Sequence, residues 1–257
     1  MQTFVWNPDP VALSLGPLTI YWYGILFVGA LLWGMAAMHY IFKREGLDRG
    51  GLDLLFMYMA TGIVVGARLG HCLFYEPQYY LSHPLKILAV WEGGLASHGG
   101  ALGALLAAWL WQRRGELSFP ELLDRLAVVT GGCAVSIRLG NFMNSEIIGH
   151  PFAGPWAVVF QRVDALPRHP VQLYEALTYL VILGIMVWAY IATRAVKYPG
   201  RLFGLFLVLV FSARVVLELF KLPQAAYALW GGLHTGQWLS LPFILLGAVM
   251  WARSKKK

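Results

Sequence analysis

Residues 202–220 read LFGLFLVLVFSARVVLELF, a run whose charges are Arg214 and Glu218. At about 1.5 Å of rise per residue, roughly 20 helical residues cover the ~30 Å hydrocarbon core of a bilayer, so this run is long enough to span one. Apolar runs of comparable length lie at 18–40, 52–74, 85–112, 121–142, 171–192 and 237–253. Backbone in lipid is satisfied within helices or closed barrels, and uninterrupted runs of this length do not fit barrel strands. The sequence therefore predicts an all-α polytopic membrane protein with seven transmembrane helices, in one domain over residues 1–257.

Composition agrees. Of the 257 residues 58% are hydrophobic and 13% charged, about half the charged share of a soluble globular protein. A soluble enzyme, a disordered chain and a nucleic-acid-binding domain are excluded on that ground. Cys72 and Cys133 sit in apolar runs, form no CxxC pair, and read as small core residues. The N-terminal stretch MQTFVWNPDPVALSLGP carries neither a basic n-region nor a small-residue cleavage site, so it does not read as a signal peptide.

The formal charge of +7 is a matter of position. One set of loops holds twelve basic residues: Lys43, Arg44, Arg49, Arg113, Arg114, Arg194, Lys197, Arg201, Arg253 and Lys255–Lys257. The alternate loops hold four, Lys86, Arg162, Arg168 and Lys221. The positive-inside rule then puts the N-terminus outside and the C-terminus in the cytoplasm, with aromatic residues such as Tyr21, Trp22, Trp91, Trp230 and Trp251 near the span ends. Among the outer connections, 143–170 is long enough to form a small extracytoplasmic head. Its prolines and glycines break any continuous helix, and WAVVF (156–160) reads as a short strand. Pro223 to Gly236 forms a second, shorter outer loop.

Ionisable residues within spans cost about 2.5–3.5 kcal/mol each on insertion scales and need a reason. With this topology Tyr23, Arg68, His71, His98, Arg138, Asn141, Gln172, Glu175, Arg214 and Glu218 all fall in the outer half. Asp124 and Arg125 lie at the cytoplasmic start of the fourth span, within reach of water. Structural polar residues scattered at random would not choose one leaflet, so the layer reads as a functional site. Arg138, Asn141 and Ser145 share one helical face, as do Arg214, Glu218 and Lys221. Arg214 and Glu218 are spaced to pair, and a structural ion pair is one reading. Two arginines on different helices at similar depth give the other: a clamp for an anion, in this leaflet a phospholipid headgroup.

Residues 93–100 read GGLASHGG and surround His98 with four glycines. Gly99 and Gly103 have the spacing of a close helix-packing face. Gly99 and Gly100 also strip side-chain bulk from around His98, which lets a ligand approach closely. No HExxH motif or Cys/His ligand set accompanies it, so no metal and no cofactor are expected.

At these residues the chain resembles the bacterial prolipoprotein diacylglyceryl transferases. The resemblance runs through WYG (22–24), GARLGHCLFY (66–75), GGLASHGG (93–100), RLGNFMNSEIIG (138–149), PRHPVQLYEAL (167–177) and RVVLELFK (214–221). It implies a plasma-membrane enzyme that moves the diacylglyceryl group of phosphatidylglycerol onto the lipobox cysteine thiol of preprolipoprotein signal peptides. A thioether forms and glycerol phosphate leaves. Carried over block by block, Tyr23, His98, Arg138, Asn141, Glu146, Gly149, Arg214 and Glu218 fall on positions the family uses, and Asp124 on a family carboxylate. The chain departs from the family at Lys221, where arginine is typical, at Val210, where an aromatic is common, and at Ser145, which replaces a glycine. On the resemblance, Arg138 and Arg214 hold the phosphate, and Tyr23, Asn141 and Glu146 hydrogen-bond the headgroup or orient the arginines. His98 either takes the thiol proton or positions the lipid. A transporter of an anionic solute and a non-catalytic phospholipid-binding protein are the rival readings. The first is disfavoured by a polar layer confined to one leaflet and the absence of an inverted repeat.

Overall fold

The computed structural model describes residues 3–16, 18–48, 50–115, 117–222 and 234–256. Arg49, Trp230, Lys257 and the greater part of the outer loop expected from Pro223 to Gly236 lie outside the described residues. Among the described residues, six helices are long and apolar enough to cross a membrane. They are α1 (Trp22–Glu45), α2 (Leu52–Phe74), α5 (Phe119–Asn144), α6 (Val171–Ala192), α7 (Arg201–Leu217, extended by a 3-10 turn to Phe220) and α8 (Thr235–Arg253). The polytopic all-α reading holds in that form.

The third expected span does not form as drawn. Residues 85–112 are broken into a 3-10 turn at Pro84–Leu88, another at Val90–Glu92, and helix α4 at Ser97–Gln112. The short helix α3 (Pro77–Ser82) precedes them. Gly93 and Gly94 adopt φ +88° and +71°, a left-handed backbone that ends any helix, and Pro84 supplies no N–H to continue one. The sixteen residues of α4 rise about 24 Å, short of a ~30 Å core. The first span also starts later than expected, because residues 18–21 are a strand.

The chain divides into two compact units, Met1–Ala36 with Asp124–Lys257, and Ala37–Leu123. In the first, β1 (Phe4–Trp6) runs parallel to β4 (Val158–Phe160), with Trp6 opposite Phe160, and β4 runs antiparallel to β5 (Pro167–Arg168). The 143–170 loop thus has the body expected of it, and its strand falls within WAVVF. The N-terminal strand that completes the sheet has no counterpart in the sequence reading. Val158 and Phe160 pack with Phe142 from the end of α5. Trp6 stacks on Phe142 at 4.3 Å between ring centroids and donates its Nε1–H to the Phe142 carbonyl at 2.9 Å. A second hairpin, β2 (Val11–Leu15) with β3 (Leu18–Tyr21), leads directly into α1.

Small residues let the long helices of this unit approach. Gly204 and Gly247 oppose each other across α7 and α8, where a Cβ on either would come within 2.7 Å of the other's carbonyl. Trp33 of α1 lies over Gly132 of α5 and donates to the Val129 carbonyl at 3.2 Å, while Cys133 lies against the Ala30 carbonyl. The first turn of α7 is capped by Asp124. Its two carboxylate oxygens accept the Gly200 and Phe203 N–H groups at 2.8 Å each. Asp124 and Arg125 are accordingly buried, at 0% and 5% exposure, and do not reach water as the sequence reading had them. The helix-end donors of α7 take the carboxylate that water was expected to hold.

In the second unit α2 and α4 pack along glycines. A Cβ on Gly62 would come within 2.6 Å of the Gly103 carbonyl, and one on Gly70 within 2.9 Å of the Gly99 Cα. Arg68, 2% exposed, spends its guanidinium on backbone carbonyls. It donates to Ile87 at 3.0 Å, Gly93 at 2.5 Å, Gly94 at 3.3 Å and Lys86 at 2.6 Å, and its head lies 5.0 Å from the Tyr80 ring centre. One buried side chain therefore satisfies the carbonyls of the irregular segment that leads into α4, which explains an arginine in that span without a ligand.

Candidate active site

The polar residues of the first unit collect where α5 ends, α6 begins and α7 ends. Arg138 and Asn141 are one turn apart on α5, and Arg138 Nη1 donates to Asn141 Oδ1 at 3.0 Å. Asn141 Nδ2 donates onward to Glu146 Oε2 at 3.1 Å, and Asn144 Nδ2 to Glu146 Oε1 at 2.8 Å. The turn that carries Glu146 is set by two left-handed residues on either side of it, Ser145 at φ 57° and Ile147 at φ 56°. A β-branched residue in that region is an outlier and costs on the order of 1–2 kcal/mol. The Glu146 N–H bonds the Asn141 carbonyl at 2.9 Å and Gln172 Nε2 donates to the Glu146 carbonyl at 2.5 Å, so backbone bonds on both sides hold the turn. Ser145 stands where the resembled family has glycine, and its φ gives the physical reason for a glycine there.

Glu175, 2% exposed on the first turns of α6, joins the two halves of this cluster. Its Oε2 lies 3.1 Å from Arg138 Nε, and its Oε1 lies 2.6 Å from Lys221 Nζ. The contact with Arg138 is an ion pair not aligned as a hydrogen bond. Lys221, just past α7, also lies 3.9 Å from Glu218 Oε2. Tyr179, one turn beyond Glu175, is hydrogen-bonded with Arg138 and lies within electrostatic reach of Arg214. Tyr23 opens α1, lies with its ring against Gly140, and feels the charges of Glu146 and Arg138.

The expected Arg214–Glu218 pair does not form. Helix α7 ends at Leu217 and Glu218 begins a 3-10 turn, which carries its carboxylate toward Lys221 and against Gly236 of α8. Arg214 Nε is buried without a hydrogen-bond partner, so the arginine keeps donor capacity. Gly149 is held backbone to backbone: it bridges Lys221, and its carbonyl accepts from Arg168 Nη1 at 3.1 Å. A Cβ there would lie 2.5 Å from the His169 carbonyl, so no side chain fits.

His98, Gly99 and Gly100 belong to the second unit. His98 is the second residue of α4 and is exposed. Gly99 lies against the Gly66 and Gly70 backbones, and Gly100 is in ordinary contact with Ala67. Gly94 leaves room for the His71 ring and the Arg68 guanidinium. Each of these glycines therefore has a local packing or backbone reason beside any approach of a ligand. Gln172 and Glu175, which the sequence places in the polar layer without a role of their own, and Tyr179, which it does not mark, complete the cluster. The signal was present, since Gln172 and Glu175 are polar residues opening an apolar span.

The family model for prolipoprotein diacylglyceryl transferase matches residues 10–253. The chain belongs to the prolipoprotein diacylglyceryl transferase family. Curated relatives bear this out along the whole length. A phosphatidylglycerol–prolipoprotein diacylglyceryl transferase of Tolumonas auensis is 53% identical over 98% of both chains. One of Chloroherpeton thalassium is 48% identical over 98% of this chain and 94% of its own. One of Bacteroides fragilis is 40% identical over 98% and 96%. A transferase of this family embedded in a membrane by several helices accounts for both the apolar runs and the buried ionic cluster between their ends.

Proposed function

We propose that this protein transfers the diacylglyceryl group of phosphatidylglycerol to the lipobox cysteine thiol of preprolipoprotein signal peptides, acting as one membrane-embedded domain over residues 1–257. The reaction takes place in the outer leaflet half of the bacterial inner membrane, with the N-terminus outside and the C-terminus cytoplasmic. The observation that carries the reading on this chain is Arg138 fixed by Asn141 and Glu175 in the buried cluster, with a buried Arg214 donor unspent at the end of the neighbouring α7. Two guanidiniums near the ends of membrane-long helices, one with a buried donor unspent, suit a phosphodiester, whose oxygens accept such forks in pairs.

In the proposed reaction the cysteine sulfur forms a bond to the C3 carbon of the diacylglyceryl group as the C3–O bond to phosphate breaks. The bonding pair leaves on the phosphate oxygen, and glycerol phosphate departs. Arg138 and Arg214 stabilise the charge that grows on that oxygen, which is where preorganised donors lower a barrier most. The thiolate is the nucleophile, so the thiol proton must go to a base, and His98 takes it. Asn141, Tyr23 and Glu146 hold the headgroup and orient Arg138, while Gly149, Glu218, Gly99 and Gly100 shape the surround.

The test uses purified protein in detergent with phosphatidylglycerol and a synthetic signal peptide bearing a lipobox cysteine. Mass spectrometry is expected to show the peptide gain one diacylglyceryl group, and no gain when that cysteine is serine. No gain with folded protein across several anionic lipids would favour a non-catalytic lipid-binding role. Replacing His98 by Ala is expected to abolish turnover; undiminished transfer would remove His98 as the base.

A further inference from the structure

Resting on that transferase reading, we infer that Glu175 is a positioning residue for the reaction: it fixes the Nε side of Arg138 while gathering Lys221 with its other oxygen. Glu175 is assigned no role by the family resemblance, yet it lies at the middle of the cluster. At 2% exposure its carboxylate has no water to satisfy it, and a buried charge persists only with partners. Its two oxygens go to two different cations, Arg138 at 3.1 Å and Lys221 at 2.6 Å. With Asn141 on Nη1 and Tyr179 also engaged, the guanidinium is held on one side and its remaining terminal donors are left for an incoming anion.

A bland alternative fits the same distances: Glu175 neutralises Lys221, and Arg138 is merely nearby. The two differ in what happens when both members of the Glu175–Lys221 pair are made neutral. Glu175→Gln leaves Lys221 short of a counter-ion and releases the Nε side of Arg138. The double variant Glu175→Gln/Lys221→Gln removes the charge problem and keeps the release.

The experiment measures kcat, KM for phosphatidylglycerol and the thermal midpoint of the wild type, of both single variants and of the double variant, all in detergent. Glu175→Gln is expected to lower kcat about 100-fold, the scale of a mispositioned reacting group, with a smaller change in KM. The double variant is expected to regain the thermal midpoint while kcat stays at the Glu175→Gln level, and Lys221→Gln alone is expected to lose far less. Recovery of kcat in the double variant would overturn the inference, since charge balance alone would then explain Glu175. Equal losses in both single variants, with no further loss in the double, would also overturn it, because Glu175 would then act through Lys221. A wild type that gives the peptide no mass gain removes the transferase reading and this inference together, whereas the other two results remove the inference alone.

Discussion

Asn141 accepts from Arg138 at one end of its amide and donates to Glu146 at the other, at 3.0 and 3.1 Å. No other residue type of this size does both: aspartate has no donor, leucine neither donor nor acceptor. Asn141→Asp sets a second carboxylate against Glu146 and is expected to slow transfer about 10- to 100-fold, the cost of leaving a hydrogen-bonded charge mispaired. Asn141→Leu is expected to lose as much. Steady-state rates by the peptide mass assay check both, and a rate within twofold of wild type in either variant would mean that this relay is dispensable.

Gly149 is expected to tolerate no side chain. A Cβ would meet the His169 carbonyl and Cβ and the Val171 side chain at 2.5–2.7 Å, and the backbone cannot retreat without breaking the bridge to Lys221. Gly149→Ala should cost about 1–3 kcal/mol, the range for overpacking, and lower activity with it. A thermal midpoint in detergent equal to that of wild type would contradict the contact.

Ser145 holds φ 57° without the freedom of glycine. Ser145→Gly is expected to relieve about 1 kcal/mol of backbone strain and raise the thermal midpoint. The buried Ser145 Oγ has no hydrogen-bond partner, so no side-chain bond is lost and the entropy that glycine adds to the unfolded chain is the main opposing cost. A lower midpoint would show that the hydroxyl is used.

Acid should loosen the head segment before α6 in two steps. Burial and the neighbouring His150 hold the His169 imidazole below its ordinary value of 6.5. The unfolded chain therefore binds the proton first, and stability falls as pH drops below about 6.5 toward the folded value. Arg168 donates to Asp164 and, with the Leu166 N–H, holds that carboxyl below its usual 3.8. Its contribution is present above 3.8 and is lost as pH falls through the lower folded value. Thermal midpoints between pH 8 and pH 3 are expected to decline on the acid side, and His169→Gln to flatten the upper part of that decline. An unchanged slope in the variant would move the effect elsewhere.

Several features were legible in the sequence because they depend on local chemistry. Apolar run length marked six helices that are long enough to cross a membrane. The prolines and glycines of 143–170 marked an irregular, strand-bearing segment. The same arithmetic overreached at 85–112, where hydropathy stays high across Gly93 and Gly94 although their left-handed backbone ends the helix. Hydropathy measures solvent preference, and these glycines act through backbone geometry. The spacing of Arg138 and Asn141 put them on one helical face, where a hydrogen bond joins them. The spacing of Arg214 and Glu218 allowed an ion pair that does not form, because the helix ends between them.

What the sequence by itself determined is the solvent of this protein and the kinds of residue that must be explained inside it. Membrane insertion sums over a run, and each intramembrane charge raises its own question whatever it touches. Only the tertiary structure decided how those questions are answered. It gives Arg68 to four backbone carbonyls, Asp124 to the first turn of α7, and Glu175 to Arg138 and Lys221 at once. The reason is that a buried charge is satisfied by whichever partner the packing of distant segments brings within about 3 Å, and no spacing along one helix carries that information.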